Sequence, residues 1–388
     1  MDKLLKYLLY FSLTSLVIGP LGVIPLNITG VNLYLTDIFV ALTCLVLLLK
    51  APAIIKIIKT DKISIYFLIF AIVGLFSLLV SPVSLTLIEK LISGLYLIRL
   101  IAYFGVYLAL RYLLTIKILS AKSIMKWLSM SGLALVSLGW LQYLLYPDLR
   151  NLYYLGWDPH LKRIFATYLD PNYFGLMMVL TLILLFESSR EIFIRKTSRK
   201  ITALLSAVFL TLMFTYSRSS YLALLAAAFS YAVLKKKYVI FGTALILVFI
   251  IAALLPRPEG IGVRLERVFS AVERAENWRE GVKLFTKHPV LGVGFNTVRY
   301  AKRQYGLNDA FLMVSHAGAG YDNSFIFIAV TSGMIGLAAY LLFLRQAYFS
   351  GNLLVKLSLV AIVIHSFFLN SLFFPWIMLW MWVVIAAG

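Results

Sequence analysis

Long apolar stretches alternate with short polar or basic joints along almost the whole chain. A helix crosses the hydrocarbon core with about 20 apolar residues, in a range of roughly 17–25. On that measure the pattern predicts twelve spans: 7–26, 33–49, 63–80, 91–110, 126–146, 172–187, 200–216, 219–234, 238–255, 323–344, 353–370 and 373–387. The pairs 200–234 and 353–387 read as tight hairpins. One joint, residues 256–322, is long. Within it Val268, Val272, Ala275, Val282 and Phe285 recur near the 3.6-residue period between charges, so 263–287 reads as helical. Asn277 with Glu280 three residues on offers a capping-box variant, and Pro289 ends the run. Two short amphipathic helices at a membrane surface are therefore expected.

Composition strengthens this picture. Hydrophobic residues make up 62% of the chain and charged residues 13%, against norms of about 45–50% and about 25%. A soluble globule of this length could not hide so much apolar surface. The expectation is an all-α polytopic membrane protein, one membrane domain over 1–388, with 256–322 as a helical loop between the ninth and tenth spans. Cys44, the lone cysteine, lies in an apolar run and carries no redox information. The first run is too long for a removable signal and reads as a retained helix.

The net charge of +20 points first to nucleic acid, but its distribution favours a membrane orientation instead. Basic residues collect at Lys3 and Lys6, Lys50 to Lys62, Arg111 to Lys126, Arg190 to Lys200, Lys235 to Lys237, and Arg345 with Lys356. The opposite short joints hold Lys90, Arg150, Lys162, Arg163 and Arg218. The positive-inside rule then places both termini in the cytoplasm. The 256–322 loop falls outside and breaks the pattern with Arg257, Arg264, Arg267, Arg274, Arg279, Lys283, Lys287, Arg299, Lys302 and Arg303. Long loops escape the rule, so these cations call for a chemical reason.

Several polar groups crowd the same outer side. Arg218 sits in the minimal turn of "TYSRSSYLAL", either snorkelling to headgroups or gripping a phosphate with a bidentate fork. Asp170 before Pro171 forms a good N-cap and N1 pair, and Arg163 lies nearby. In "SHAGAGYDNSF", Asp322 and Asn323 open the tenth span as caps or as site residues, with His316 behind a glycine-rich link. His365 lies near the outer end of the eleventh span. Gly292 and Gly294 in "HPVLGVGFNTV" permit a tight turn or a close approach to phosphate, and His288 caps or packs at a helix end. Within the fourth span, Arg99 is a charge at membrane depth, with Asp37 as its candidate partner.

Taken in order, "RIFATYLDPNYFG", "TYSRSSYLALL", "HPVLGVGFNTV" and "DNSFIFIAVTSGMIGLAAYLLFL" resemble the O-antigen ligase and polysaccharide polymerase superfamily. The resemblance covers roughly residues 160–345 with motifs and the rest with topology. It implies a GT-C-like glycosyltransferase in the bacterial cytoplasmic (inner) membrane, active on its periplasmic face. Such enzymes take a glycan from an undecaprenyl-diphosphate carrier. Ligases pass it to the lipid A core of lipopolysaccharide, polymerases to another lipid-linked repeat, and some relatives to protein hydroxyls. The family's loop histidine maps to His316, its arginine after the seventh span to Arg218, and its loop arginines to Arg264, Arg267 or Arg279. Ligases often carry His beside the Asn that opens the tenth span. Here Asp322 stands there, a form closer to some polymerases, so His316 or Asp322 is the catalytic base.

A leaving diphosphate needs positive charge aimed at it in a water-poor site. The sequence shows no DxD and no His pair at ligand spacing, so arginines are expected in place of a metal, with no cofactor. Arg218 and at least one of Arg163, Arg264, Arg267 and Arg279 are assigned to the diphosphate, with Asp170 and Asn323 as further substrate-binding candidates. The acceptor hydroxyl attacks C1 from the opposite face, with inversion. Tyr153, Trp157, Trp278 and Tyr321 are candidates for stacking on sugars or for interfacial anchoring. Partners are the lipid-linked donor, a glycan or glycolipid acceptor and the bilayer, not nucleic acid. A flippase of the same lipid-linked glycans is the main rival.

Overall fold

The computed structural model describes residues 1–26, 31–155, 158–195, 199–257, 263–265, 269–307 and 319–388. The described residues are overwhelmingly helical, and the only sheet among them is a short antiparallel hairpin. Its strands, β1 (Val23–Ile24) and β2 (Leu33–Tyr34), pair Val23 with Tyr34 and Ile24 with Leu33. The first half holds α1 (Asp2–Ile18), α2 (Leu35–Leu48), α3 (Ala51–Thr60), α4 (Lys62–Leu79), α5 (Leu87–Thr115) and α6 (Ala121–Leu145). Then come α7 (Pro171–Arg195), α8 (Arg199–Met213), α9 (Arg218–Lys235), α10 (Tyr238–Leu254), α11 (Phe269–Lys287) and α12 (Val298–Gln304). The chain closes with α13 (Ser324–Ser350), α14 (Leu353–His365) and α15 (Pro375–Ala387).

Six of these helices are long and apolar enough to cross a membrane: α1, α4, α5, α6, α7 and α13. A seventh arises if α2 and α3, bent by 98° at their junction, form one broken span. The protein is a helical, multi-pass membrane protein. Each of the twelve expected spans coincides with a helix, but twelve exceeds what helix length and hydropathy support. The reason is visible in α14 and α15, which have 13 residues each. At 1.5 Å per residue each reaches roughly 20 Å, short of the ~30 Å core. Helix α15 is apolar all round and buried all round: every residue from Pro375 to Ala386 is inside the bundle. Large side chains such as Ile72, Leu79, Leu87, Leu254 and Val239 face outward instead, as lipid contact requires.

The intramembrane charge is paired as expected. Arg99 on α5 meets Asp37 on α2 at 2.8 Å, and Tyr103 donates to the same carboxylate at 3.0 Å. The Tyr34 N–H also donates to Asp37, closing a capping box at the start of α2.

The glycine motif has a structural use. Helix α13 opens at Gly333, whose φ is +64°. An opened helix inside a membrane frees backbone groups that must find partners in the protein. The segment 289–294 supplies them. Val293 N–H donates to Val330 O at 2.8 Å, Gly294 N–H to Thr331 O at 3.2 Å, and Met334 N–H to Pro289 O at 2.8 Å. Ser77 of α4 donates to both Leu291 O and Thr331 O. The break lies nine residues into α13, roughly 14 Å from its start, so this segment re-enters the bundle. Gly292 (φ +71°) is there for close backbone approach to α13, whereas a side chain at Gly294 (φ +113°) would meet Ser81 and Thr297. His288 ends α11 and bonds the Tyr305 hydroxyl at 2.6 Å.

Candidate active site at one rim of the bundle

Helices α7, α9 and α13 begin, and α14 ends, at the same rim. Each start has a side-chain cap. Asp170 accepts from Asn172 N–H at 2.6 Å and Tyr173 N–H at 3.3 Å. Ser217 accepts from Ser220 N–H, and Asn323 from Phe325 N–H at 2.8 Å and Ile326 N–H at 3.0 Å. The caps are tied together across the helices. Ser220 donates to Asn172 O at 3.1 Å, and Ser219 bonds His365 Nε2 at 3.1 Å. His365 Nδ1 bonds Ser371 at 2.7 Å, so the buried imidazole is held between α9 and the end of α14. Ser324 N–H donates to Ser366 O at 2.9 Å, joining α13 to α14.

Helix α11 lies over this rim. The sequence pattern suggested two short helices broken at Asn277; one continuous helix is found. Nothing in "AENWREGV" stops a helix, and Asn277 uses its side chain elsewhere, accepting from Asp322 N–H at 2.9 Å. Trp278 Nε1 donates to Asp322 O at 3.1 Å, and Gly281 packs on Ile326 and Tyr321. Positions 274, 277, 278 and 281 share one helical face. Arg274 heads that face, and its charge acts on Asp322, Arg218 and His365. Lys302 of α12 anchors the far end, 2.8 Å from Glu280 and over the Tyr321 ring.

The rim therefore gathers two guanidiniums and several carboxyls. Arg218 is half-buried at the first position of α9 and donates to Leu265 O at 3.2 Å. Asp322 keeps an accessible edge, and no hydrogen bond or ion pair from the described residues takes up its carboxylate. The protein around it shields it from bulk water and raises its carboxyl above the ordinary range. Asp158 and Glu273 add to that push, while Arg274 and Lys302 oppose it. Burial pushes Asp170 up to about 6, with Asp158 adding and its two capping N–H groups and Arg163 opposing. Glu273 is raised too, by desolvation and by Asp158, against Arg274. These carboxyls feel one another's charge, but among the described residues no three His, Cys, Asp or Glu close to metal-binding distance. The arrangement can hold an anion and accept a proton within one rim.

The candidates read from the sequence separate on this geometry. Arg218, Asp322 and Asp170 come together. Asn323 is beside them, but buried, with its Oδ1 occupied as a cap and its Nδ2 on Phe367 O. Arg163 is also buried. It donates to Thr215 O at 2.8 Å and faces His160 and Asn172, so it braces the approach to α9 and is not open to a substrate. Arg279 is exposed, five residues from Arg274 and about 140° around the helix from it, away from the rim. Arg264 is exposed beside Leu265, whose carbonyl Arg218 holds. His316, Arg267 and Trp157 lie outside the described residues, as does the Tyr153 side chain. Tyr321 is buried under Lys302 and presents no face to a sugar.

Two groups escaped sequence reasoning as site residues. Arg274 was one basic residue among many; its shared face with Trp278 and Gly281 was the available signal. Asp158 gave no signal, because its reach to Asp170, Asp322 and Glu273 is created by the fold.

Residues 201–341 match the family model described as O-antigen ligase. The match takes in the Arg218 turn, the re-entrant glycines and the Asp322 rim, and it bears out the resemblance drawn from those motifs. No curated protein matches the chain.

Proposed function

From the match of residues 201–341 to the O-antigen ligase family model, we propose that the protein is a membrane glycosyltransferase. It moves a glycan from an undecaprenyl-diphosphate-linked donor to an acceptor hydroxyl. The observation that carries this reading is the convergence of Arg218, Arg274 and the accessible Asp322 at one rim, under α11.

Two guanidiniums present forks for the diphosphate, and their charge counts most as negative charge builds on the leaving oxygen. Asp322 takes the proton of the acceptor hydroxyl as that oxygen attacks C1. The C1–O bond to the diphosphate breaks on the opposite face, giving inversion without a metal. A positioned base contributes about 10²–10⁴-fold. Arg264 adjoins Leu265, whose carbonyl Arg218 holds, and joins the anion site, with Arg267 as a further candidate for it. His316 is the competing base.

In this reading the apolar helices make a single GT-C-like domain in a bacterial inner membrane, with both termini cytoplasmic. The rim and the 256–322 loop face the periplasm. The acceptor is a lipid A core sugar, a second lipid-linked repeat or a protein hydroxyl.

Gel analysis of cell-surface glycan tests the reading. A deletion strain is complemented with the native protein or with Arg218→Ala, Arg274→Ala, Asp322→Asn, His316→Ala or Arg279→Ala. Glycan assembly is expected to be lost with Arg218→Ala and Asp322→Asn at normal protein levels, and kept with Arg279→Ala. Full assembly with both Arg218→Ala and Asp322→Asn would overturn the site. Loss of all ladder bands on deletion identifies a ligase; a single capped repeat identifies a polymerase.

A further inference from the structure

Helix α3 lies at the end of the bundle opposite the rim. Helix α1 ends on the rim side, where Val17 O accepts from Thr167 Oγ1 at 2.7 Å and Leu16 O from the Tyr168 hydroxyl at 3.2 Å, just before the Asp170 cap. Its start is therefore at the other end, and there Lys50, at the joint of α2 and α3, meets Asp2 at 2.8 Å. With ten residues α3 spans roughly 15 Å, too short for the ~30 Å core, and it is bent 98° from α2. It runs across the bundle, in the plane of the membrane.

A clamp at each end fixes it there. Besides meeting Asp2, Lys50 lies over the Tyr112 ring near the end of α5. Asp61, which follows α3, caps α4 through Ser64 N–H at 3.0 Å and accepts from the Tyr107 hydroxyl of α5 at 2.7 Å. Between the clamps Ile54 is buried, and Ala53, Ile57 and Ile58 pack against the core beside α4 and α5. The opposite face is open. Lys56 and Lys59, three residues apart on one stripe, are exposed, and Ile55 beside them keeps 51% of its surface. Apolar residues on one face and lysines on the other suit a helix lying in a lipid interface.

The charge balance sharpens this. Helices α1 to α6 and their joints carry four acidic residues. Asp37 and Glu89 stand at the starts of α2 and α5, toward the rim, while Asp2 and Asp61 lie at this end and are both taken by the clamps. Among the described residues no carboxylate pairs with Lys56, Lys59 or Lys62.

We infer that the open face of α3 binds anionic phospholipid headgroups of the membrane surface opposite the rim, with phosphate on Lys56 and Lys59 and Ile55 among the upper acyl carbons. Charge complementarity selects an anion. The in-plane course of α3 and the exposed Ile55 select a lipid over free phosphate or an acidic soluble protein. The site stands apart from the transfer chemistry.

The test follows thermal unfolding of the full-length protein in dodecyl maltoside as 1-palmitoyl-2-oleoyl phosphatidylglycerol is titrated in, since a ligand of the folded state raises Tm. The rise is expected to be absent with inorganic phosphate or poly-L-glutamate, small with the matching phosphatidylcholine, and largely lost in 1 M NaCl, where the Debye length is about 3 Å. Lys56→Gln with Lys59→Gln should demand about fivefold more phosphatidylglycerol per lysine, on the order of 25-fold for the pair. The Lys56→Arg, Lys59→Arg protein should keep the native response. So should Lys122→Gln with Lys126→Gln, which removes the same charge from exposed positions of α6 at the same end. An equal rise with phosphatidylcholine, a rise with phosphate or poly-L-glutamate alone, a native response from the Lys56/Lys59 glutamine variant, or an equal loss from the α6 variant would each overturn the assignment.

Discussion

Replacing Gly292 by alanine probes the joint that hangs α11 and the rim loop on α13. Two costs add. The residue sits at φ +71°, where a side chain with a Cβ is strained by about 1–2 kcal/mol. The new Cβ would also lie 2.4 Å from Val330 O, 2.6 Å from Thr331 C and 2.7 Å from Ser332 N. All three are backbone atoms of the opened turn of α13, so no flexible side chain can give way. Ordinary contact requires the segment to retreat by about 1 Å, which breaks the Val293 and Gly294 hydrogen bonds or overpacks the joint for about 1–3 kcal/mol. The total is about 2–5 kcal/mol, a large fraction of a typical stability. Two controls separate the terms. Gly306 has φ +65° with nothing within 4 Å, so alanine there carries only the backbone cost. Gly242 lies inside α10 with open space around it, and alanine there is expected to be neutral or to stabilise by about 0.5–1 kcal/mol. Thermal unfolding in a single detergent should rank the proteins Gly242→Ala at or above native, then Gly306→Ala, then Gly292→Ala. A Gly292→Ala protein as stable as Gly306→Ala would refute the tight docking of 289–294 into α13.

Four further outcomes follow from the geometry. Arg274→Ala should lower transfer strongly while Arg279→Ala leaves it near native, measured with one donor and acceptor; equal effects would remove α11's inner face from the site. Asp322 must be ionised to act as base, and its carboxyl is raised. Activity should therefore rise with pH through a limb above the ordinary carboxylate range, and Arg274→Ala, by removing an opposing charge, should move that limb higher. Asp170 titrates at about 6 in the folded protein against 3.8 ordinarily, so the fold binds its proton more tightly. Its contribution to stability is full below 3.8 and lost as pH rises through 6. Asp170→Asn keeps the cap, so it should unfold at higher temperature at neutral pH and lose that part of the pH slope. Asp37→Ala leaves Arg99 buried without its carboxylate and should cost about 3–5 kcal/mol in unfolding measurements.

What the sequence disclosed follows from locality. The apolar runs, the Asp170 cap before Pro171 and the Asp37–Arg99 pair depend on periodicity, adjacent residues or the cost of a charge at membrane depth. The re-entrant segment was hidden because Gly292 answers to Val330, Thr331 and Ser332, about forty residues away in sequence. The glycines announced a close approach without naming its partner. Asn277 was misread for a similar reason. As an N-cap it had a local use, but the Asp322 N–H across the loop captured it. Arg163, Arg274 and Arg279 are chemically alike on the page. Only the packing of α11 and the burial at Thr215 decide which guanidinium brings its charge to the rim and which holds the fold together.

The role proposed for Arg218 and Asp322 is bond-making at a lipid-linked diphosphate. Its most direct measurement is transfer by purified protein in liposomes, given a polyprenyl-diphosphate-linked glycan and a hydroxyl acceptor in the presence of a chelator. A covalent glycan–acceptor product is expected from the native protein and its loss is expected with Arg218→Ala or Asp322→Asn. Movement of the donor between leaflets with no new bond, or full product from both variants, would contradict it.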